Sequence, residues 1–201
     1  MHPDPRLQWT DRDAMRAFVR QQSFGAVFLA TPDGPRVAHI PLLLLDDDRI
    51  GFHVSRRNAL ADHLDGARTL FVIQGPHAYV SPDWYGVPDQ VPTWNYVAVE
   101  LEGVARKTDG AALLAELDKL SAEQEAYLAP KEPWSLDQLS PGIAEKMAGG
   151  VVGFVMEIEA WRGTAKLGQN KPDAVRHAAA DGLEAAGAAE VAALMRAAKP
   201  A

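Results

Sequence analysis

Residues 93–105 read Thr93-Trp94-Asn95-Tyr96-Val97-Ala98-Val99-Glu100-Leu101-Glu102-Gly103-Val104-Ala105 and set two unequal sets of side chains in alternation. Thr93, Asn95, Val97, Val99 and Leu101 fall on one side of an extended chain. Trp94, Tyr96, Ala98, Glu100 and Glu102 fall on the other, because successive side chains of a strand point to opposite faces. A period of two sustained this long predicts a long β-strand with two unequal faces.

Outward from this strand the chain reads as more strands with a few helices at the margins. Upstream, Gly25 to Ala30 and Val37 to Leu45 are apolar runs joined by the turn residues Thr31-Pro32-Asp33-Gly34, which predicts a hairpin. Pro41 lacks an N–H, so the second run is expected at a sheet edge or bulged there. Ile50, Phe52 and Val54 share a face in a third strand, and Leu70 to Gln74 forms a fourth, which Ala78 to Val80 continues or pairs with beyond Gly75-Pro76. Ser81 to Pro92 is a proline-rich structured loop. Downstream, residues 151–161 carry Val152, Phe154, Met156 and Ile158 on one face and close the sheet.

Helices are expected over residues 11–21, with Thr10 as N-cap, and from Asp109 to just before Pro130, with Leu113, Leu117, Leu120, Gln124 and Tyr127 on one stripe. A loop rich in proline and tryptophan follows. A last helix spans Leu183 to Ala198 in the alanine-rich tail. Strands in succession with peripheral helices make an α+β protein, a small, partly open antiparallel barrel, and not an alternating βαβ chain.

Composition narrows the function. The chain has 201 residues, 47% hydrophobic and 23% charged, which supplies one sizeable core. It has no cysteine, so disulfides, thiolate metal sites and cysteine nucleophiles are excluded. The net charge is −7 with the basic residues scattered, which argues against counterion-driven nucleic-acid binding. No segment reaches the roughly 18 apolar residues of a membrane span, and the start lacks a signal-peptide core, so a cytoplasmic location is expected.

Three segments carry chemistry. Ser55-Arg56-Arg57-Asn58 follows the third strand and reads as the entry to a short helix capped by Asn58 or Ser55, whose free N–H groups and two guanidiniums suit a phosphate as well as they suit a solvated turn. His77 to Tyr85 gathers aromatic rings and hydroxyls in a rigid loop, fit for a planar ring or for packing on itself. Lys166 to Pro172 sets cationic and amide donors around Gly168, as a loop that closes over an anionic or amide-rich ligand or as an exposed one. His39, His53, His63 and His77 do not have metal-ligand spacing, and Ser81 lacks a nucleophile-elbow context.

Read in order, His39-Ile40-Pro41-Leu42, then Gly75-Pro76-His77-Ala78-Tyr79-Val80-Ser81-Pro82-Asp83-Trp84-Tyr85 with Val91-Pro92-Thr93-Trp94-Asn95-Tyr96, then Lys166-Leu167-Gly168-Gln169-Asn170, resemble the PaiB family of FMN-binding negative transcriptional regulators. The likeness covers most of residues 1–176. It departs from the family pattern at Gly168, where serine is expected, and at His2, where an aromatic is usual.

The resemblance implies a split antiparallel β-barrel with flanking helices, of the pyridoxamine-phosphate-oxidase and flavin-reductase type. It also implies a homodimer with FMN between subunits and a bacterial repressor function. Residues 1–201 then form one FMN-binding domain whose residues 173–201 are a helical extension. The implied cofactor contacts are Ser55, Arg56, Arg57 and Asn58 toward the phosphate, His77, Tyr79, Ser81, Trp84, Trp94 and Asn95 around the ring, and Lys166, Gln169 and Asn170 from the third block. Trp94 and Tyr96, opposite the Val97 and Val99 face, also ask for a partner surface. DNA contact, if made, is direct or through a protein partner, since no helix shows a basic face. A flavin-dependent oxidoreductase and a cofactor-free interaction protein are the alternatives on the same scaffold.

Overall fold

In a computed structural model, which describes residues 3–199, the turn at Thr31–Gly34 joins β2 (Phe24–Thr31) to β3 (Gly34–Leu44), and the two pair antiparallel from Phe24↔Pro41 to Thr31↔Gly34. The full set adds β1 (Gln8–Trp9), β4 (Arg49–Ser55), β5 (Arg68–Val80), β6 (Thr93–Lys107) and β7 (Val151–Lys166). The sheet order is β1-β7-β4-β3-β2-β5-β6, with β7 also pairing with β6, so the antiparallel sheet closes on itself. This is the split barrel expected, with helices α1 (Arg12–Gln22), α2 (Gly110–Ala126), α3 (Ile143–Ala148), α4 (Asp173–Ala185) and α5 (Ala189–Ala197) at its margins.

The described chain forms two compact units. The first takes the described parts of Met1–Met15, Gln74–Glu100 and Arg162–Ala201, and the second takes Arg16–Ile73 and Leu101–Trp161. In the second unit the alternating faces of β2, β3, β4 and β7 enclose Val27, Leu42, Leu44, Ile50, Phe52 and Phe154. Phe52 meets Phe71 edge-on at 4.8 Å and stacks on Phe154 at 5.6 Å, arrangements that suit the ring quadrupoles. Gly103 of β6 lies so close to the Glu157 carbonyl of β7 that a Cβ would collide with it. Glycine there is a condition of closing the ring.

The first unit packs α4 and α5 against each other through Ala179, Ala180, Leu183, Val191, Ala192 and Met195. The alanines that make this segment look featureless in sequence let the two helices approach closely. On β6, Asn95, Val97 and Val99 are buried as their alternation requires, while Trp94 is exposed.

Several local expectations change. Asp11, not Thr10, caps α1: its carboxylate accepts the Ala14 N–H at 3.0 Å, a stronger charge-assisted bond than a hydroxyl offers. The expected helix after β4 is a succession of turns through residues 56–66, with bonds such as Asn58 N–H to Ser55 O and Ala61 N–H to Asn58 O. The single tail helix is two, divided at Gly187 with φ +88°. β5 runs unbroken through Gly75-Pro76. The loop after α2 contains α3.

Pro41 lies in an interior strand. Its position is nonetheless tolerated, because β2 pairing ends at Pro41 and β4 pairing begins at Leu42, so neither ladder needs the missing N–H. On α2 the buried stripe is Leu113, Glu116 and Leu120, while Tyr127 is exposed.

Candidate functional site

In the second unit, the turn after β4 gives its four polar side chains different tasks. Ser55 Oγ accepts the Arg57 N–H at 3.3 Å, and Asn58 Oδ1 accepts the Leu60 N–H at 2.9 Å, which fixes the turn. Arg56 is spent on distant backbone carbonyls: Nε donates to Gly149 O at 3.0 Å and Nη2 to Val151 O at 3.2 Å. The exposed Arg57 guanidinium has no hydrogen-bond or ion-pair partner among the described residues. Two arginines adjacent in sequence are thus a brace and a free cation. No helix begins here, and the N–H groups of Arg56, Arg57, Asn58, Leu60 and Ala61 are already bonded within the protein, so the donor this turn offers is the Arg57 guanidinium, without a helix dipole behind it.

The His53–Glu116 pair was not legible in the sequence. Glu116 is buried on α2 with Oε1 3.4 Å from His53 Nδ1, and the carboxyl lies against the Cα of Gly51. Position 116 lies beside the expected stripe of Leu113, Leu117 and Leu120, and only the fold buries it and brings a histidine to it.

In the first unit the aromatic block divides in two. Tyr79 and Trp94 form an edge-to-face pair at 5.1 Å, 44% and 56% exposed, a wall of ring surface turned to solvent. His77, on the same strand as Tyr79, has Nδ1 3.1 Å from the Gln74 amide. Ser81 carries the Trp84 N–H on its carbonyl at the start of a 3-10 turn, Pro82–Tyr85. Trp84 is folded back against Gly182 of α4. Asn95 is 1% exposed and donates to Met195 Sδ at 3.1 Å.

On the opposite face of β6 from Trp94, Thr93 and Asn95 line a cleft of about 400 Å³ together with Tyr85, Gln90, Lys166, Asn170 and Lys171. Lys166 donates to Thr93 Oγ1 at 2.6 Å, and Lys171 donates to Gln90 Oε1 with its ammonium 4.3 Å above the Tyr85 ring. Gln169 points into its own turn, accepting the Leu167 N–H and donating to the Ala165 carbonyl. Burial pushes the Tyr85 phenol above its ordinary value. Gly168, the departure from the expected serine, adopts φ +81°, a left-handed conformation that glycine takes without strain. His2, the other departure, lies outside the described residues.

Residues 1–160 match the family model described as "Putative FMN-binding domain". The chain is 33% identical over 166 residues to the Bacillus subtilis protease synthase and sporulation protein PAI 2, covering 81% of this chain and 79% of that one. This chain belongs to the PaiB family. Among solved structures, the FAD and heme binding protein from Mycobacterium smegmatis superposes with a TM-score of 0.59 at 16% identity, over 80% of this chain and 74% of that chain. The conserved hypothetical protein Rv2991 from Mycobacterium tuberculosis gives 0.59 at 16% identity, over 86% and 94%. These likenesses establish the barrel.

PaiB-family membership brings a flavin as cofactor. A flavin presents a planar redox-active ring and, in FMN, a dianionic phosphate. In the first unit the exposed Tyr79–Trp94 pair is a surface of the kind that receives a planar ring, and in the second the Arg57 guanidinium is a cation of the kind that receives a phosphate. Among the described residues, no helix of this PaiB-family chain is long and apolar enough to cross a membrane.

Proposed function

We propose that this protein is a homodimeric, cytoplasmic FMN-binding regulator of the PaiB type. The observation that carries the proposal is the family match over residues 1–160, supported by the exposed Tyr79–Trp94 pair. In this reading Tyr79 and Trp94 take the ring, with His77 and Ser81 supplying polar groups from the same segment. Ser55, Arg57 and Asn58 take the phosphate, with Arg56 bracing their turn. Trp84, Asn95 and Gln169 shape the walls from behind, and Lys166 and Asn170 face the cleft across β6. Repression of transcription follows the family, with DNA reached directly or through a partner protein.

The dimer has a second support in the second unit. Phe24, Phe28 and Val37 are exposed on one outer face of the β2–β3 hairpin, where Phe28 pairs directly with Val37. Apolar side chains gathered on a sheet face suit a second copy better than water.

The test is the visible spectrum of the purified protein, titration with FMN, and then addition of NAD(P)H. Uptake of FMN without reduction supports the regulator, reduction moves the protein to the oxidoreductase alternative, and no uptake removes the flavin reading.

A further inference from the structure

We propose that the cleft behind β6 is a second ligand site, which takes a small molecule bearing an oxyanion, carboxylate or phosphate, through Lys166 and Lys171. The proposal requires the flavin to sit elsewhere, and Trp94 and the cleft lie on opposite faces of the same strand.

The two ammonium groups carry the argument. Both lysines are half-buried in a cleft of about 400 Å³, yet the side-chain acceptors that hold them are neutral: Thr93 Oγ1 for Lys166 and Gln90 Oε1 for Lys171. Among the described residues neither has a carboxylate within ion-pair distance. Removing a cation from water without a counter-charge is unfavourable, and a chain that only needed these positions filled has apolar residues of the same length available. An ammonium has three donors, and each of these spends one on its neutral partner, which fixes the direction of the other two.

The rest of the cleft fits the same ligand. The Tyr85 ring holds the Lys171 ammonium by its π-face, which positions the cation without neutralising it. Asn170 adds an amide at the mouth. Two carboxylates also border the cleft. Asp4 is already engaged by Arg6, at 3.1 and 2.8 Å, while Asp89 is exposed, where water screens its charge. The volume suits a ligand of metabolite size and excludes a macromolecule.

The experiment is calorimetric titration of the full-length protein with inorganic phosphate and, separately, with malonate, each before and after saturation with FMN. Binding of one anion to the FMN-saturated protein is expected, and the tighter of the two identifies the headgroup. Lys171→Met and Lys166→Met should each weaken it about tenfold or more, the worth of one charge-assisted bond. Lys146→Met, an exposed lysine of the second unit, should leave it unchanged. If Lys171→Met does not fold, Lys171→Gln serves in its place.

No binding of either anion at millimolar concentration overturns the proposal, and so does binding indifferent to both cleft lysines. Anion binding that FMN abolishes makes the cleft part of the flavin site, which also overturns it. Failure of FMN to bind sinks the flavin reading alone, since the titrations without FMN still decide the cleft.

Discussion

Gly182 of α4 lies against the indole of Trp84 so closely that a Cβ at position 182 would overlap Cγ, Cδ1 and Cδ2 of the ring. A glycine inside a helix is unfavourable by roughly 0.5–1 kcal/mol relative to alanine, and here it makes room for the indole. It ties the C-terminal helices to the 3-10 turn that carries the aromatic block. Gly182→Val should destabilise the protein by about 1–3 kcal/mol through overpacking. Denaturant unfolding followed by tryptophan fluorescence measures it, and an unchanged midpoint would mean the helix shifts freely.

Arg56 and Arg57 should separate in experiment. Arg57→Ala should weaken FMN binding about tenfold to a hundredfold while leaving the melting temperature of the flavin-free protein unchanged. Arg56→Ala should lower that melting temperature, by the equivalent of about 1 kcal/mol, since its loss strands the Gly149 and Val151 carbonyls. Equal effects of the two substitutions on FMN affinity would show that both arginines touch the phosphate.

Arg176 is 2% exposed and joins the two C-terminal helices, with Nε donating to Met195 O at 2.9 Å and Nη2 2.9 Å from Asp173. Arg176→Ala should lose about 2–4 kcal/mol, from both packing and the bond to the carbonyl. Arg176→Met keeps most of the volume and should lose about half as much. Chemical denaturation of the two variants side by side gives the comparison; the reverse order would place the weight on charge and not on packing.

Phe28→Asp should abolish the dimer. The charge sits at the middle of the exposed β2–β3 face, opposite Val37, and unpaired burial of a carboxylate is strongly unfavourable. Light scattering at micromolar concentration should report a dimer for the parent and a monomer for the variant. A variant that remains dimeric excludes this face.

Tyr85 predicts a pH dependence. Its folded phenol is shifted upward by burial, so above the ordinary value of about 10 the unfolded chain releases the proton first and the folded state binds more protons. Stability is therefore full below about pH 10 and declines as pH rises through the folded value. Thermal melts across this alkaline range should show the decline, and Tyr85→Phe should flatten it.

Local pattern carried most of the fold. The alternation over residues 93–105, the Thr31–Gly34 turn and the apolar face of residues 151–161 are each short-range signals, and β6, the hairpin and β7 follow them closely. The misread elements are those where local signals tie. Thr10 and Asp11 are both capping residues, and the run after Ser55 has good helix formers that the fold uses in turns. The alanine-rich tail has helical propensity throughout, so its break at Gly187 depends on how α4 and α5 pack.

The sequence by itself determined a small, partly open antiparallel barrel and the segments that bear its chemistry, because burial on one face of a strand imposes a period that needs no knowledge of partners. Only the tertiary structure decided which charges are free. Arg56 and Arg57 are neighbours with opposite fates, and Lys166 meets Thr93 across 73 residues while Lys171 meets Gln90 across 81. Whether a cation is braced, paired or left to a ligand depends on atoms brought to it from far along the chain.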